Sequence, residues 1–368
     1  MIAIGHGSDA AGPSTAVERS FERDHAGFAL GAAAGRQRFP RAFAAGPLFG
    51  EAAFEAAFRR DPPRRAAPLV RTIGFQGSSG CVLLDDGFQE VVVCTAGIPR
   101  ILSYRRKEGT NQVDPGDPET NGTGHSRTGH TARILPEPHS TGFGLFQQAS
   151  QWVATNLGAR FFVHAEARTR FSYELAIRFQ PAGQGLRLEH VLTSLGREHS
   201  PSSLRLDCPY GPGGALVVPR MDSSVGAASD APTTALDLWP GTDLRQPCWS
   251  IGPRYLRLRH LRTPDPQRLA LRVSQGWIAH VRGSSMFLRR FDGSKTGLYS
   301  ESSSNVELVA SPRGLESRIL CAPRLLVQNQ SLIVSEEWRI VPAPVEPLTE
   351  DLIDTLCLPV VGEGVPMR

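Results

Sequence analysis

A chain of 368 residues can bury a substantial core without disulfides or metals to staple it. Its formal charge of +4 is unevenly spread: residues 1–71 hold ten arginines against seven carboxylates. The rest of the chain is therefore almost neutral, too weakly basic for a nucleic-acid face. Only Lys107 and Lys295 are lysines among 40 basic residues. With Ala, Gly and Pro also abundant, that arginine bias reflects GC-rich coding better than selection for phosphate. No apolar stretch approaches the ~20 residues of a membrane span. The opening MIAIGHGSDAAGPST has no basic segment followed by an apolar core, so no secretory signal is expected and a cytoplasmic location is. The six scattered cysteines form no CxxC pair and read as buried thiols in a reducing compartment. Neither a nucleic acid nor a membrane is an expected partner, and no oligomeric state is read from the sequence.

Residues 1–71 are Ala/Arg/Pro-rich, with little sustained periodicity beyond GEAAFEAAFRR, which suits one short helix. Such a segment buries too little apolar surface to offset its ordering entropy. It is expected to be disordered or weakly structured and dispensable for the fold. From about residue 72 the texture changes. CVLLDD and EVVVCT flank Asp86-Gly87, a favoured hairpin pair. RILSY follows after a bend at Gly97-Ile98-Pro99. RFFVHAEA, FSYELAIRF, LRLEHVLTSL, GALVVP, YLRLRHL, LALRVS, GWIAHVRG, SMFLRRF, NVELVA, LESRILC and SLIVSEEWRIV continue in the same style. Many short β-type runs with few helical patterns predict an all-β, large antiparallel sandwich over residues 72–345. Two long polar stretches, 107–142 and 219–255, interrupt the runs. Residues 346–368 read as a short terminal helix or tail.

Four stretches carry a resemblance: GIPRI (97–101), GHTARILPEP (129–138), LWPGTDLRQPCWSIGPRYLRL (238–258), and GWIAHVRGSSMFLRRF with NVELVASPRGLESRILCAP and EEWRIV. Together they resemble a little-characterised bacterial family of the galactose-mutarotase-like (aldose 1-epimerase-like) superfamily, over about residues 73–343. The resemblance implies a β-supersandwich whose concave sheet binds sugars in many relatives. Under it, Arg100 and Arg133 point toward the concavity, and Arg254 borders the same cleft as Arg100.

Mutarotation needs an acid and a base across the anomeric region of a sugar. Mutarotases use His and Glu, and Glu307 in SSNVELVA falls about where that glutamate occurs, with Glu316 as the neighbouring candidate. Val306 and Leu308 share the face opposite Glu307, so one side of that strand is apolar and the other polar. The family's strand histidine has no counterpart in SLRLDCPYGPGGALVVP. His130 is the remaining candidate acid, approaching from a loop; His164 and His190 read as core or edge histidines. Trp239, Trp249 and Trp277 are candidate sugar-stacking surfaces, the first two in a Pro/Gly-rich loop with Asp243, Arg245 and Arg254, the alternative being core tryptophans and an Asp243–Arg254 ion pair. The spacing of His125, His130 and His139 is too loose to predict a metal, and no phosphate-cradling loop calls for a nucleotide cofactor. Three functions remain open at this point: an epimerase-type acid–base catalyst on a sugar or sugar-like ring, a non-catalytic glycan-binding sandwich, and an accessory or structural protein with no sugar ligand.

Overall fold

Period-two alternation, with β-branched and aromatic residues on one face, is what a pleated and half-buried strand selects. It governs this chain from Leu69 onward. The computed structural model describes residues 67–116, 129–135, 149–163, 171–196, 200–220, 236–261, 265–293, 304–343 and 348–362, all within the unit Asp61–Arg368. The expectation for residues 1–71 therefore falls mostly outside the described residues. Its last three residues belong to the first strand.

The strands β1 (Leu69–Phe75), β2 (Ser78–Asp85), β3 (Gln89–Cys94) and β4 (Arg100–Arg106) form a four-stranded antiparallel meander. Gly87 at φ 88° closes the β2–β3 hairpin, and Asp86 Oδ1 accepts the Phe88 and Gln89 amides at 2.9 Å. Gly97 at φ 80°, a conformation that suits glycine, turns β3 into β4.

Next in the chain come β5 (Thr131–Leu135), β6 (Gln151–Thr155), β7 (Gly158–Val163), β8 (Phe171–Phe179), β9 (Leu186–Ser194), β10 (Ser200–Tyr210) and β11 (Ala215–Pro219). They are followed by β12 (Leu236–Leu238), β13 (Trp249–Ile251), β14 (Tyr255–Arg259), β15 (Gln267–Leu271), β16 (Trp277–Arg282) and β17 (Ser285–Phe291). The last strands are β18 (Val306–Ser311), β19 (Gly314–Leu320), β20 (Arg324–Leu326) and β21 (Ser331–Pro342), before one helix, α1 (Glu350–Gly362). A seven-stranded sheet runs β12-β15-β18-β19-β10, with β5 and β20 sharing the far edge of β10. A ten-stranded sheet runs β13-β14-β11-β16-β17-β21-β9-β8-β7-β6. The fold is all-β, as the sequence pattern predicts.

The main core lies where the inner faces of the three sheets meet. It includes Val82, Ile101, Phe161, Leu188, Leu206, Phe287, Leu308 and Trp338, all buried. A second apolar layer explains why β11, β16 and β17 are buried on both faces. On the outer side of the ten-stranded sheet, Val217, Trp277, Ala279, Met286 and Leu288 are covered by Ile353 and Cys357 of α1. The terminal segment read as a helix or tail thus contains a helix that completes this layer. Arg254 fastens it, donating to Glu350 Oε2 at 3.2 Å and bonding to Asp351 and Asp354.

Ile353 is 1% exposed, so Ile353→Ala should lower unfolding free energy by about 2–4 kcal/mol. Urea unfolding monitored by tryptophan fluorescence would measure this, because Trp277 lies beneath the helix; an unchanged midpoint would show that α1 contributes no packing energy.

Candidate functional site: a charged face of the seven-stranded sheet

In β10 the residues Leu204, Leu206, Cys208 and Tyr210 enter the core, as do Val306, Leu308 and Ala310 in β18 and Leu315 and Ile319 in β19. Successive side chains alternate across a sheet. The intervening residues therefore share the opposite face: Arg205, Asp207, Glu307, Glu316 and Arg318. Register then aligns one row across six strands: Asp237, Ala270, Glu307, Arg318, Asp207 and Thr131. Arg268 and Arg133 stand one pleat away, opposite Val309 and Arg205.

The charges in and beside this row interlock. Glu307 Oε1 accepts from Arg318 Nη1 at 2.7 Å and Oε2 accepts from Arg268 Nη2 at 2.9 Å. Arg318 Nε also donates to Glu316 Oε1 at 2.7 Å. Asp207 takes Arg205 Nε at 2.9 Å on one oxygen and Arg133 Nε at 2.7 Å on the other. Burial works against the charge of Arg318, but Glu316, Glu307 and Asp207 outweigh it and hold the guanidinium protonated. The middle of the row is sealed, with Glu307 1% exposed. Its ends are half-open: the Arg268 side chain is 29% exposed and that of Arg133 19%. At the Arg268 end, the guanidinium lies 3.8 Å above the Trp239 ring, within cation–π range.

The structure gathers Glu307, Glu316, Arg133 and Trp239 at this face. Asp243 lies nearby, its amide donating to Gln267 Oε1 at 2.9 Å. Its carboxylate pairs with Arg245 rather than with Arg254. The remaining candidates lie elsewhere. Arg254 is engaged by α1 and Trp277 is sealed beneath that helix, so neither reaches the charged face. Arg254 therefore does not share a cleft with Arg100, whose Nη2 points at Cys94 Sγ at 3.8 Å in the four-stranded sheet. His130 does not approach from an open loop. It bridges to Ile101 and is 1% exposed. Gly129 makes that approach possible, because a Cβ there would meet the Ile101 carbonyl oxygen at 2.6 Å. His125, His139 and His164 lie outside the described residues. Sequence reasoning missed Arg205, Asp207, Arg268 and Arg318. The alternation Leu-Arg-Leu-Asp-Cys at 204–208 was the signal that marks two of them.

His130 belongs to a network inside the core. The Tyr173 hydroxyl, held protonated by burial and by Glu336, hydrogen-bonds with His190 Nδ1 at 2.7 Å. His190 Nε2 lies 3.4 Å from Glu336 Oε1, and His130 Nε2 faces the same oxygen at 3.3 Å. Glu336 Oε2 accepts from Arg289 Nη2 at 2.7 Å and from Trp338 Nε1 at 2.9 Å. Arg289 Nη1 donates to Ser317 Oγ at 2.8 Å, which also meets the Tyr210 hydroxyl. Burial alone would raise the Glu336 carboxyl, yet Arg289 and the two histidines hold it far below the carboxylate range. The ligand atoms of His130, His190 and Glu336 lie within 4.8 Å of one another. Because Arg289 already balances Glu336, a dication there would add two uncompensated charges in a dry core. Its bonded members form a structural network, while His130 Nδ1 and Nε2, His190 Nε2 and Glu336 Oε1 have no hydrogen-bond partner among the described residues.

Two histidines make stability acid-sensitive. Burial depresses His130 well below 6.5 against the pull of Glu336, and burial with Arg282 takes His280 down to about 3. Both pKa values are lower in the folded than in the unfolded state. Their stabilisation is present above about pH 6.5 and is lost as pH falls below it, at up to about 1.4 kcal/mol per pH unit for each group. Urea midpoints should therefore begin to drop near pH 6.5, and His280→Asn should flatten part of that slope. A midpoint constant down to pH 4.5 would contradict this assignment.

No protein-family model and no curated protein matches the chain. Solved structures do. A galactose mutarotase-like protein from Lactobacillus casei superposes with a TM-score of 0.51 at 11% identity, over 71% of this chain and 100% of that one. A putative aldose 1-epimerase from Escherichia coli gives 0.44 at 10% identity over 75% and 99%. A galactose mutarotase-like protein from Clostridium acetobutylicum gives 0.47 at 9% identity over 75% and 99%. At such identity the first of these likenesses speaks to architecture, and the sheets described above are those of a galactose-mutarotase-like β-supersandwich.

Proposed function

We propose that the charged face of the seven-stranded sheet binds a carbohydrate, as a binding module rather than as an acid–base catalyst. One observation carries the reading. Both Glu307 oxygens and both Asp207 oxygens are held by guanidinium donors, and no position of the row is a histidine. To take a proton from an anomeric hydroxyl, Glu307 has to give up part of its arginine pairing, and the row offers no imidazole to protonate the ring oxygen. Planar guanidinium forks, by contrast, suit pairs of neighbouring hydroxyls or a sugar carboxylate. Trp239 adds an aromatic surface at the half-open end, the usual complement to the C–H face of a sugar ring.

The second reading, an epimerase-type catalyst with Glu307 as base, is favoured by the direction of Glu307. Its neighbours Val306 and Leu308 enter the core while its carboxylate joins the charged face. Among the described residues no helix is long and apolar enough to cross a membrane. The six free thiols support a reducing, cytoplasmic setting for either function.

Saturation-transfer NMR with a panel of neutral and acidic monosaccharides should find a ligand. Arg133→Gln and Arg268→Gln should each weaken it roughly tenfold to a hundredfold, the scale of a lost charge-assisted hydrogen bond. A panel with no binder would defeat the proposal. Anomer exchange measured on the same sugars should stay at the uncatalysed rate for the wild type and Glu307→Gln alike. Acceleration by the wild type, lost by about 10²–10⁴ in Glu307→Gln, would establish the catalytic reading instead.

A further inference from the structure

The four-stranded sheet uses its two faces differently. Val82, Leu84, Val91, Val93 and Ile101 join the main core. Cys81, Val92, Cys94 and Leu102 form a separate small cluster with Ile73, Phe75 and Leu83 on the other face. Within it, Cys81 of β2 and Cys94 of β3 are direct cross-strand partners. The flanking residues carry the ladder bond, Thr95 N–H to Gly80 O at 2.8 Å, which makes the cysteines a non-hydrogen-bonded pair. At such pairs the Cα atoms lie about 4.5 Å apart with side chains on one face. That separation falls inside the roughly 4.4–6.8 Å range of disulfides. Both residues are free thiols, 0% and 2% exposed.

The two sulfurs are not equivalent. Arg100, opposite Cys94 across β3 and β4, brings Nη2 to 3.8 Å from Cys94 Sγ, and Ser78 Oγ lies 3.7 Å from the same atom. A hydrogen bond from the Cys81 thiol draws the Cys94 thiol down to about 5 against burial, with the Ala96 backbone, Arg100 and Ser78 assisting. The same bond, together with burial, pushes Cys81 up. One sulfur is disposed as a thiolate and its partner as the thiol that donates to it, the division of labour of an attacking and a resolving cysteine.

We propose that Cys81 and Cys94 are a reversible redox pair, oxidised by small hydroperoxides to a cross-strand disulfide. The Cys94 thiolate attacks one oxygen of hydrogen peroxide; the O–O bond breaks, Cys94 becomes a sulfenic acid and hydroxide leaves. Hydroxide takes the Cys81 proton, and the Cys81 sulfur displaces the sulfenyl oxygen as the S–S bond forms. That second hydroxide collects the proton that Cys94 had released. Two thiols and one peroxide give one disulfide and two waters. Closing the bond removes the thiolate that Arg100 faces. Burial restricts the chemistry to oxidants of about the size of water and excludes bulky thiol reagents.

The test uses the full chain, treated with hydrogen peroxide, alkylated under denaturing conditions and mapped without reduction. A peptide linking Cys81 to Cys94 should appear and vanish on treatment with dithiothreitol. It should form roughly tenfold faster than oxidation at Cys208, Cys248, Cys321 or Cys357, since thiolate fraction governs attack. In Cys81→Ser, dimedone added together with the denaturant after peroxide treatment should trap a sulfenic acid at Cys94, and Arg100→Gln should slow cross-linking. Absence of the linked peptide while other cysteines oxidise would overturn the proposal. So would cross-linking at the same rate as oxidation of the other four cysteines. If a variant fails to fold, the wild-type peptide map decides alone.

Discussion

The constraint that most of this structure depends on is the apolar inner face of the seven-stranded sheet. Leu204, Leu206, Val306, Leu308, Leu315 and Ile319 are each less than 3% exposed, so the register of β10, β18 and β19 is fixed by burial. A slip of one residue in β18 would drive Glu307 into the core and set Val306 and Leu308 among guanidinium groups. Once register is fixed, every charged residue between those apolar positions must stand on the far face, and the strand order sets its neighbours. The alternating line Glu307–Arg318–Asp207 follows from three hydrophobic patterns and a pairing scheme, without any further instruction in the loops.

Burial of these charges is tolerable only because each has partners. Isolated charges at such depth would cost several kcal/mol apiece after relaxation. The same reasoning applies between the sheets, where Arg289 and Glu336 are both 0% exposed. Their pairing absorbs one charge with the other, while Ser317 and Trp338 occupy donor and acceptor directions that would otherwise be empty. Charge on one side of the sheet is thus arranged toward a half-open edge. On the other side it is closed on itself. This difference in exposure separates the candidate site from the structural network, although the two share residue types and both contain residues of β19.

Strand content and the all-β class were legible in the sequence because alternation and turn chemistry are local. LRLEHVLTSL is an example: Leu186, Leu188, His190 and Leu192 do point into the core. The strand β10 was harder to see. Pro201 and Pro209 near its ends argue against a central strand, yet Leu204, Leu206, Cys208 and Tyr210 alternate as cleanly as any run in the chain. What no local pattern holds is which strands become neighbours. Arg318 meets Asp207 across a pairing between segments more than a hundred residues apart, and Arg254 meets Asp354 across a helix whose docking depends on the whole outer layer. His130 misled for the same reason. Its polar surroundings in sequence read as an open loop, whereas the bridge to Ile101 draws it beneath the sheet.

The arrangement of arginines bears on function beyond their number. A general base must hold its lone pair toward substrate in the resting state, and a carboxylate clamped from both sides presents its lone pairs to guanidinium groups instead. A binding face has the opposite requirement. It needs donors fixed in direction before ligand arrives, because side chains that must first be ordered subtract their rotamer entropy from affinity. Arg133 and Arg268 are each anchored by a carboxylate of the row while their side chains remain part-exposed. On the proposed binding reading, Glu307 and Asp207 are positioning groups for the two arginines, and the energetic cost of burying the row is met at folding rather than at each encounter with a ligand.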